Sequence, residues 1–476
     1  MRKLITVLVG LVSVLAVHSQ QKDPPTNFGK VTLDELKLKE CDFEKTAGAM
    51  VLFDVAEAYG SFNIVQNQTN PVQLSSEVER HVRIKIFNEK GFRNADVHII
   101  FWNQDQEIKN LEAQTYNLDE SGKIVITKLE KKLVYERKLV NKFISEQSFT
   151  FPDLRDGTVI EYKYKIWNKN FGIQNRWNFQ GPIPVKFGRF EINFPEEFVV
   201  TVIPKCSLPL YQGSRVKDNR TIESYVMENV PSLNPEPFMT TPDDYLQHVE
   251  PNIVALNYQG MHTNTIVPWI AMIRELVRDE DFGGQLKKDI PRIEELEMQL
   301  KKLSDPYQKM TTIYYYVRSN MTWDGINTIW APKGIKEAWK DKKGTAGEIN
   351  LILVNLLKDA GINAHAVLVS TKDNGKINAV VADMRQFNKV MAYVTLGENI
   401  YILDGTDKFT PPTLIPLDVS NTQGLLIADI QTFAWGWKKL WNQQQRFKNY
   451  ALLKASINEK DELTGTVKIT SMDYAR

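Results

Sequence analysis

Lys343-Gly344-Thr345-Ala346-Gly347-Glu348-Ile349-Asn350-Leu351-Ile352-Leu353-Val354-Asn355-Leu356-Leu357 is the stretch from which the rest of the chain can be read. Thr345 followed three residues later by Glu348 is a capping box, in which each side chain satisfies a backbone N–H that the first helical turn leaves without a partner. Ile349, Ile352, Leu353, Leu356 and Leu357 then recur at the spacing of one helical face. Lys358 falls in the last turn, and Gly361 stands where a left-handed C-cap belongs. The reading is a buried helix entered through a small, tight turn. Two strand-like apolar runs follow, Ala364–Ser370 and Val390–Leu396, and a third, Ile400–Leu403, ends at Asp404.

A helix start followed by antiparallel strands resembles the core of the transglutaminase-like (papain-like) superfamily. The local wording is similar too: the Gly-containing turn, the Leu-rich helix, Ala360-Gly361-Ile362, Phe387-Asn388-Lys389 and Leu403-Asp404-Gly405-Thr406. The resemblance implies a catalytic Cys at the helix N-terminus, a His at the start of a following strand and an Asp at the end of the next. Such a thiol is pushed toward thiolate by the unpaired N–H groups and dipole of the helix end, and the His takes its proton while the Asp orients the His.

The corresponding positions here are Ala346, Lys389 and Asp404, so the Asp alone of the three is kept. The chain has two cysteines, Cys41 and Cys206, both far upstream, and no His follows His365. A Cys–His–Asp triad in the family's order cannot be assembled. Thr345 is explained as the cap, and Ser370 and Thr371 have no His partner in view. Lys389 and Asp404 are expected to touch, either as a salt bridge that neutralises the remaining Asp or as a charged site for a carboxylate or amide ligand.

The 476 residues suffice for two to four domains, and 42% apolar with 25% charged residues is ordinary for a globular protein. A net charge of +1 implies no nucleic-acid partner. Arg2-Lys3, the apolar run Leu4–Val17 and then His18-Ser19-Gln20 follow the order of a secretory signal peptide, with cleavage expected after Ser19. That run is short for a membrane span, and no other segment is long and apolar enough for one. The expectation is export to the periplasm or the cell exterior. In that setting Cys41 and Cys206 could form one long-range disulfide or stay as thiols.

From about Val72 onward the pattern is that of strands. Val82, Ile84 and Ile86 alternate with Arg83 and Lys85, and further runs are Asp96–Trp102, Leu111–Asn117, Ile124–Lys128, Val159–Trp167 and Phe187–Phe194. Turn clusters such as Asn88-Glu89-Lys90-Gly91 and Asp153-Leu154-Arg155-Asp156-Gly157 separate them. The spacing reads as an antiparallel β-sandwich-like domain. Arg83-Ile84-Lys85-Ile86-Phe87-Asn88-Glu89-Lys90-Gly91, Phe151-Pro152-Asp153 and Gly157-Thr158-Val159-Ile160-Glu161-Tyr162 resemble the domain of unknown function that precedes transglutaminase-like cores in exported bacterial proteins. Gln20–Gly29 reads as a flexible lead-in, and Pro231–Pro251, with five prolines, as an extended connection. Trp269–Val277, Arg292–Leu303 and Tyr307–Val317 are helical patterns, and Trp323 fits the family's aromatic position ahead of the active-site turn.

Trp435, Trp437 and Trp441 beside Lys438 and Lys439 suit either ligand stacking or, preferentially, packing of a linker on the core. Ala451–Ile457 and Gly465–Ile469 are two strands that begin a C-terminal β segment. The expected fold is thus α+β: a signal peptide over 1–19, a β-rich domain over 20–258, a transglutaminase-like domain over 259–434, and a linker with an incomplete β segment over 435–476. The six His residues show no metal-ligand spacing, no Gly-rich phosphate loop is present, and no cofactor is expected. Two functions are in view. One is a non-catalytic binding or scaffolding protein with a protein, peptide or glycan partner. The other is a peptidase or amidohydrolase working with other residues.

Overall fold

The computed structural model describes residues 26–64, 72–103, 105–138, 144–168, 176–218, 220–237, 239–258, 260–291, 293–420 and 422–475. The expected signal peptide lies outside them. The fold is α+β, with a β-domain first and a helix-containing core after it.

The β-domain is built on an eight-stranded sheet, in the order Tyr211–Lys217, Arg220–Val230, Val185–Asn193, Ala49–Ile64, Val72–Ile86, Val159–Asn168, Gln106–Leu118 and Ile124–Lys128. It is not wholly antiparallel. Ala49–Ile64 and Val185–Asn193 run parallel, with Val51 opposite Val185 and Tyr59 opposite Asn193. Two smaller sheets contribute to the same apolar core. One holds Asp96–Trp102, Ile144–Thr150 and Tyr135–Lys138, and the other is centred on His248–Tyr258. Val97, Phe149, Phe198 and Val249 from the small sheets join Val82, Tyr162 and Phe190 of the large one in a single cluster. This is the sandwich logic of two inner faces sharing one core.

The other face of the large sheet is also covered. Arg83 and Lys85, which alternation alone would place in solvent, are fully buried. The segment from Asn27 to the short helix Leu33–Lys37 lies over them. Glu161 accepts from Arg83 (2.6 Å), from the Tyr116 hydroxyl (2.7 Å) and from the Gly29 amide (3.0 Å), and lies 2.8 Å from His81 Nε2. Arg83 also reaches Glu35 (2.7 Å) and the Asn27 carbonyl (3.2 Å), and Lys85 donates to the Leu36 and Gly157 carbonyls. The described end of the expected flexible lead-in is therefore pinned to the sheet. Buried charges survive where each has partners. Cys41 is buried, Cys206 is half-buried, and both are free thiols rather than a disulfide.

In the second domain the helix read from the sequence runs Ala346–Asp359. Its capping box is formed by Thr345 and Glu348, and Gly361, directly after the C-cap residue Ala360, has φ +78°, as the spacing predicts. Burial is more complete than a one-faced pattern implies, since every residue from Ala346 to Leu357 is inside. A five-stranded antiparallel sheet packs on it, in the order Asn399–Leu403, Lys389–Leu396, Ala364–Val369, Thr422–Asp429, Ala434–Leu440. Helices Trp269–Arg278, Pro306–Asn320 and Ile335–Asp341 complete the shell. Asn355, an interior polar residue, donates to the Gln285 and Lys288 carbonyls (2.9 and 2.8 Å).

The last strand of that sheet carries Trp435 and Trp437, so the stretch expected as a linker is instead an edge strand. Both rings pack with Trp269, and Trp437 also meets Phe387. These tryptophans are core aromatics, and Trp441 beyond them is exposed. The connection between domains touches the second one, where the Lys376 amide donates to Asp244 Oδ1 (2.8 Å).

The last two described strands, Phe447–Ile457 and Leu463–Asp473, form a two-stranded hairpin. Its register pairs Leu453 with Val467, Ala451 with Ile469 and Ile457 with Leu463. One face therefore holds Phe447, Leu453, Ile457, Leu463, Val467 and Ile469 with Asn449, Ser471 and Asp473, while the other mixes Lys448, Lys454 and Lys468 with Tyr450, Leu452, Met472 and three threonines. Tyr474 anchors the base through its hydroxyl to the Ile415 carbonyl (2.8 Å).

Candidate functional site

Ala346 is the first residue of the central helix, Lys389 the first of the strand Lys389–Leu396, and Asp404 directly follows Asn399–Leu403. The fold brings all three to one end of the helix–sheet stack. Lys389 makes an ion pair with Asp404 Oδ2, as expected from the sequence. It also pairs at 3.2 Å with Asp418 Oδ2, a residue the sequence reading did not single out. Asp418 lies in a one-turn helix, Leu417–Val419, which has no periodic signature.

The remaining capacity of Asp404 is filled by neighbours. Its Oδ1 accepts from Asn350 Nδ2 (2.9 Å), from the Thr406 amide (2.9 Å) and from the Thr406 hydroxyl (2.7 Å). Asn350 stands one helical turn after Ala346, and its Oδ1 takes the Gly405 amide at 2.7 Å. Helix and strand end are thereby locked in register around the carboxylate.

Charge sets the protonation states. Burial by itself would lower the Lys389 pKa, but Asp404 and Asp418 outweigh it and hold the ammonium above its ordinary range. The Asp418 carboxyl is pushed up, first by burial and further by Asp404, against the opposing pull of Lys389. One cation is thus shared by two carboxyls, and Asp418, about half exposed, is the member that solvent reaches.

The space in front of Ala346 is filled. Its side chain has no exposed surface. Its amide donates to the Ile326 carbonyl (2.9 Å), which also accepts from the Trp323 indole (3.0 Å). Trp323 is partly exposed, and the Lys389 ammonium lies 5.8 Å from its ring. A Cβ on Gly347 would meet the Trp330 carbonyl oxygen at 2.3 Å, so the 326–330 loop sits directly on the first turn. Glu348 is wholly buried, accepting from the Thr345 amide and the Lys333 amide (2.9 Å each). Three of the donors at this helix end, the Thr345, Ala346 and Glu348 amides, are used within the protein.

The β-domain carries a cleft of about 520 Å³ lined by Glu79, Glu112, Lys131, Lys163, Tyr164 and Lys165, among others. Lys163 pairs with Glu112 (2.9 Å), and Lys165 with Glu77 and Glu79 (2.6 and 3.1 Å). A β-bulge between Lys109 and Glu112, with Asn110 at φ 53°, borders it. His81 and His98, read as structural, each face a glutamate, Glu161 and Glu146. Among the described residues no group of three His, Cys, Asp or Glu could hold a metal ion. None of the described helices is long and apolar enough to cross a membrane.

Residues 73–232 match the domain of unknown function DUF3857, and residues 295–400 match the transglutaminase-like superfamily. No curated protein matches the sequence. The crystal structure of a "putative protease" from Parabacteroides distasonis ATCC 8503 is similar over 80% of this chain and 70% of that one, with TM-score 0.54 and 15% identity. At that identity it shows a shared fold. A transglutaminase structure described as "a TGase" covers 47% of this chain and 52% of its own at 10% identity, and its TM-score of 0.18 carries no argument.

Proposed function

We propose that this chain, a DUF3857 domain followed by a transglutaminase-like domain, is a non-catalytic binding or scaffolding protein that acts after export to the bacterial envelope. The observation that carries the reading is the ion pair of Lys389 with Asp404 and Asp418 beside a buried Ala346. A thiol nucleophile needs a thiolate next to a general base. Here the first position carries a methyl group. The second carries an ammonium raised above its ordinary range, which cannot accept a proton near neutral pH. The charged N-terminus followed by the apolar run Leu4–Val17 supports export.

With that end of the core filled, the cleft of the β-domain is the candidate binding surface. Its volume falls in the range of small-molecule sites, roughly 300–1,000 Å³. Alternating lysines and glutamates beside Tyr164 suit a peptide, which presents both charges along its length. The purified protein is expected to release no ammonia from glutamine substrates and to cleave no peptide above background, and to stay inert when Ala346 is replaced by Cys. Turnover by the native chain that is abolished by alkylating Cys206 would overthrow the reading in favour of an enzyme using other residues.

A further inference from the structure

We propose that Lys389 and Asp404 condense to an intramolecular amide, in which the lysine nitrogen bonds to the Asp404 side-chain carbon and Oδ2 leaves as water. The contact that the step needs is already made. The Lys389 ammonium pairs with Asp404 Oδ2, and both residues are buried, at 4% and 1% exposure. The proposal rests on the ion pair that supports the non-catalytic reading, yet the two fail separately, since one is read from turnover and the other from mass.

The two oxygens of Asp404 are treated differently by the site. Oδ1 accepts from Asn350 Nδ2 (2.9 Å), from the Thr406 amide (2.9 Å) and from the Thr406 hydroxyl (2.7 Å). Charge builds on this oxygen when a nitrogen adds to the carbon, and three fixed donors at such distances are what an oxyanion hole supplies. Among the described residues, Oδ2 faces Lys389 and no neutral donor, so it is the oxygen free to depart. Asp418 Oδ2 stands 3.2 Å from the lysine nitrogen, and burial together with the Asp404 charge pushes its carboxyl up. A carboxyl so placed can take a proton from the nitrogen and return one to the leaving oxygen. Its half-exposed side chain also marks the side from which solvent is reached.

The atoms balance without any other reactant. Within the pair one ammonium proton passes to Oδ2, leaving a neutral amine beside a carboxylic acid. The amine adds to the carbon, gives up a second proton through Asp418, and Oδ2 departs with both as water. An ammonium and a carboxylate thus become one amide and one water. Lys389 is held protonated above its ordinary range, so the neutral amine is scarce and the step is slow. The newly folded chain holds the ion pair, and the amide accumulates afterwards. Burial favours the product, because two charges kept from water carry a large desolvation penalty and the amide abolishes both. Fixed proximity favours the step, being equivalent to about 10⁵–10⁸ M for well-oriented groups.

The test is mass spectrometry of the full chain, incubated folded for several days at about pH 8, where more of the amine is neutral, and then digested with trypsin. Cleavage after Arg385, Lys389 and Lys408 divides the unlinked chain into residues 386–389 and 390–408. The amide blocks cleavage at Lys389 and yields a single fragment, 386–408, lighter than its sequence by one water. That fragment is expected to grow with time. Lys389→Arg keeps the charge and cannot form this amide, so its digest should show no loss of water here. Asp418→Asn, with an unchanged circular dichroism spectrum, should form the fragment at least about tenfold more slowly. Fragments 386–389 and 390–408 that stay undiminished in the native chain overturn the proposal. So does a loss of water that persists in Lys389→Arg, which marks a cyclic imide at Asp404-Gly405 instead, and so does an Asp418→Asn chain that closes at the native rate.

Discussion

Replacing Lys389 by Met removes the cation from a site that keeps two carboxyls. Met preserves the stem and packing of the lysine, so the change is mainly electrostatic. Asp404 is 1% exposed, and its Oδ2 loses its ionic partner. Breaking a buried pair by removing one member costs about 3–5 kcal/mol, because the survivor is left charged and dry. Against a typical domain stability of about 5–15 kcal/mol, that is about a fifth or more of the total. Replacing Asp404 by Asn as well should recover most of the loss, since what destabilises is the orphan charge and not the missing attraction. Asp418→Asn alone should cost less than about 1 kcal/mol, because Asp418 is half exposed and Lys389 keeps Asp404. The double-mutant cycle is measured by urea unfolding at pH 7, followed by tryptophan fluorescence, taking the shift in midpoint at constant slope. The pH dependence gives a second readout. The Asp418 carboxyl, already raised by burial, loses the opposing pull of Lys389 and binds its proton more tightly folded than unfolded, so stability falls as pH rises through its folded pKa, and the deficit of Lys389→Met shrinks as pH is lowered from 7 toward 5. A Lys389→Met cost below about 1 kcal/mol, or a double variant as unstable as the sum of the singles, would refute the reasoning.

Other outcomes follow from the same contacts. Gly347→Ala drives a methyl into the Trp330 carbonyl and should cost about 1–3 kcal/mol, seen as a lowered Tm in calorimetry. Thr345→Ala removes one half of the capping box and should cost about 1 kcal/mol, whereas Thr345→Ser should be nearly silent in the same scan. Glu161 is held down to about 2 despite burial, by the His81, Tyr116 and Arg83 contacts, against an unfolded value of 4.5. A depressed acid contributes stability above its unfolded pKa and loses it on acidification, so about 3 kcal/mol should vanish between pH 4.5 and 2. Glu161→Gln should flatten that part of an acid-unfolding curve, and an unchanged curve would show that Glu161 is not the group responsible.

Reading the sequence worked where local rules and burial coincide. The capping box, the five apolar positions and Gly361 place the central helix within a residue or two. Strands with clear alternation, Asp96–Trp102 among them, fall where the pattern sets them. It failed where tertiary structure overrides pattern. Arg83 and Lys85 read as a wet face and are buried, because only the folded chain brings Asn27–Leu36 over them. Tyr211–Lys217 is exposed along its whole length and shows no alternation to detect. Pro251 masked the strand His248–Tyr258, which tolerates it. The parallel partners Ala49–Ile64 and Val185–Asn193 are too far apart in sequence for any window to join. At the candidate site, the Lys389–Asp404 contact was legible through the resemblance, which places these two residues at the positions of a His and an Asp that touch. Asp418 was not, because an irregular loop delivers it.

That parallel pair also bears on how the protein is made. Ala49–Ile64 lies in the interior of the eight-stranded sheet, yet one of its two edges waits for a partner about 130 residues downstream. At the roughly 5–20 residues per second of synthesis, the wait is on the order of ten seconds. Throughout that interval the nascent chain presents a long unpaired edge, the template on which neighbouring chains associate. Closing the sheet then has to overcome the entropy of a large loop before any contact rewards it. The β-domain is therefore a slow and vulnerable folder, and a variant that weakens the Val185–Asn193 strand should show itself first as aggregation during synthesis, while the fraction that completes the sheet is nearly as stable as the native protein.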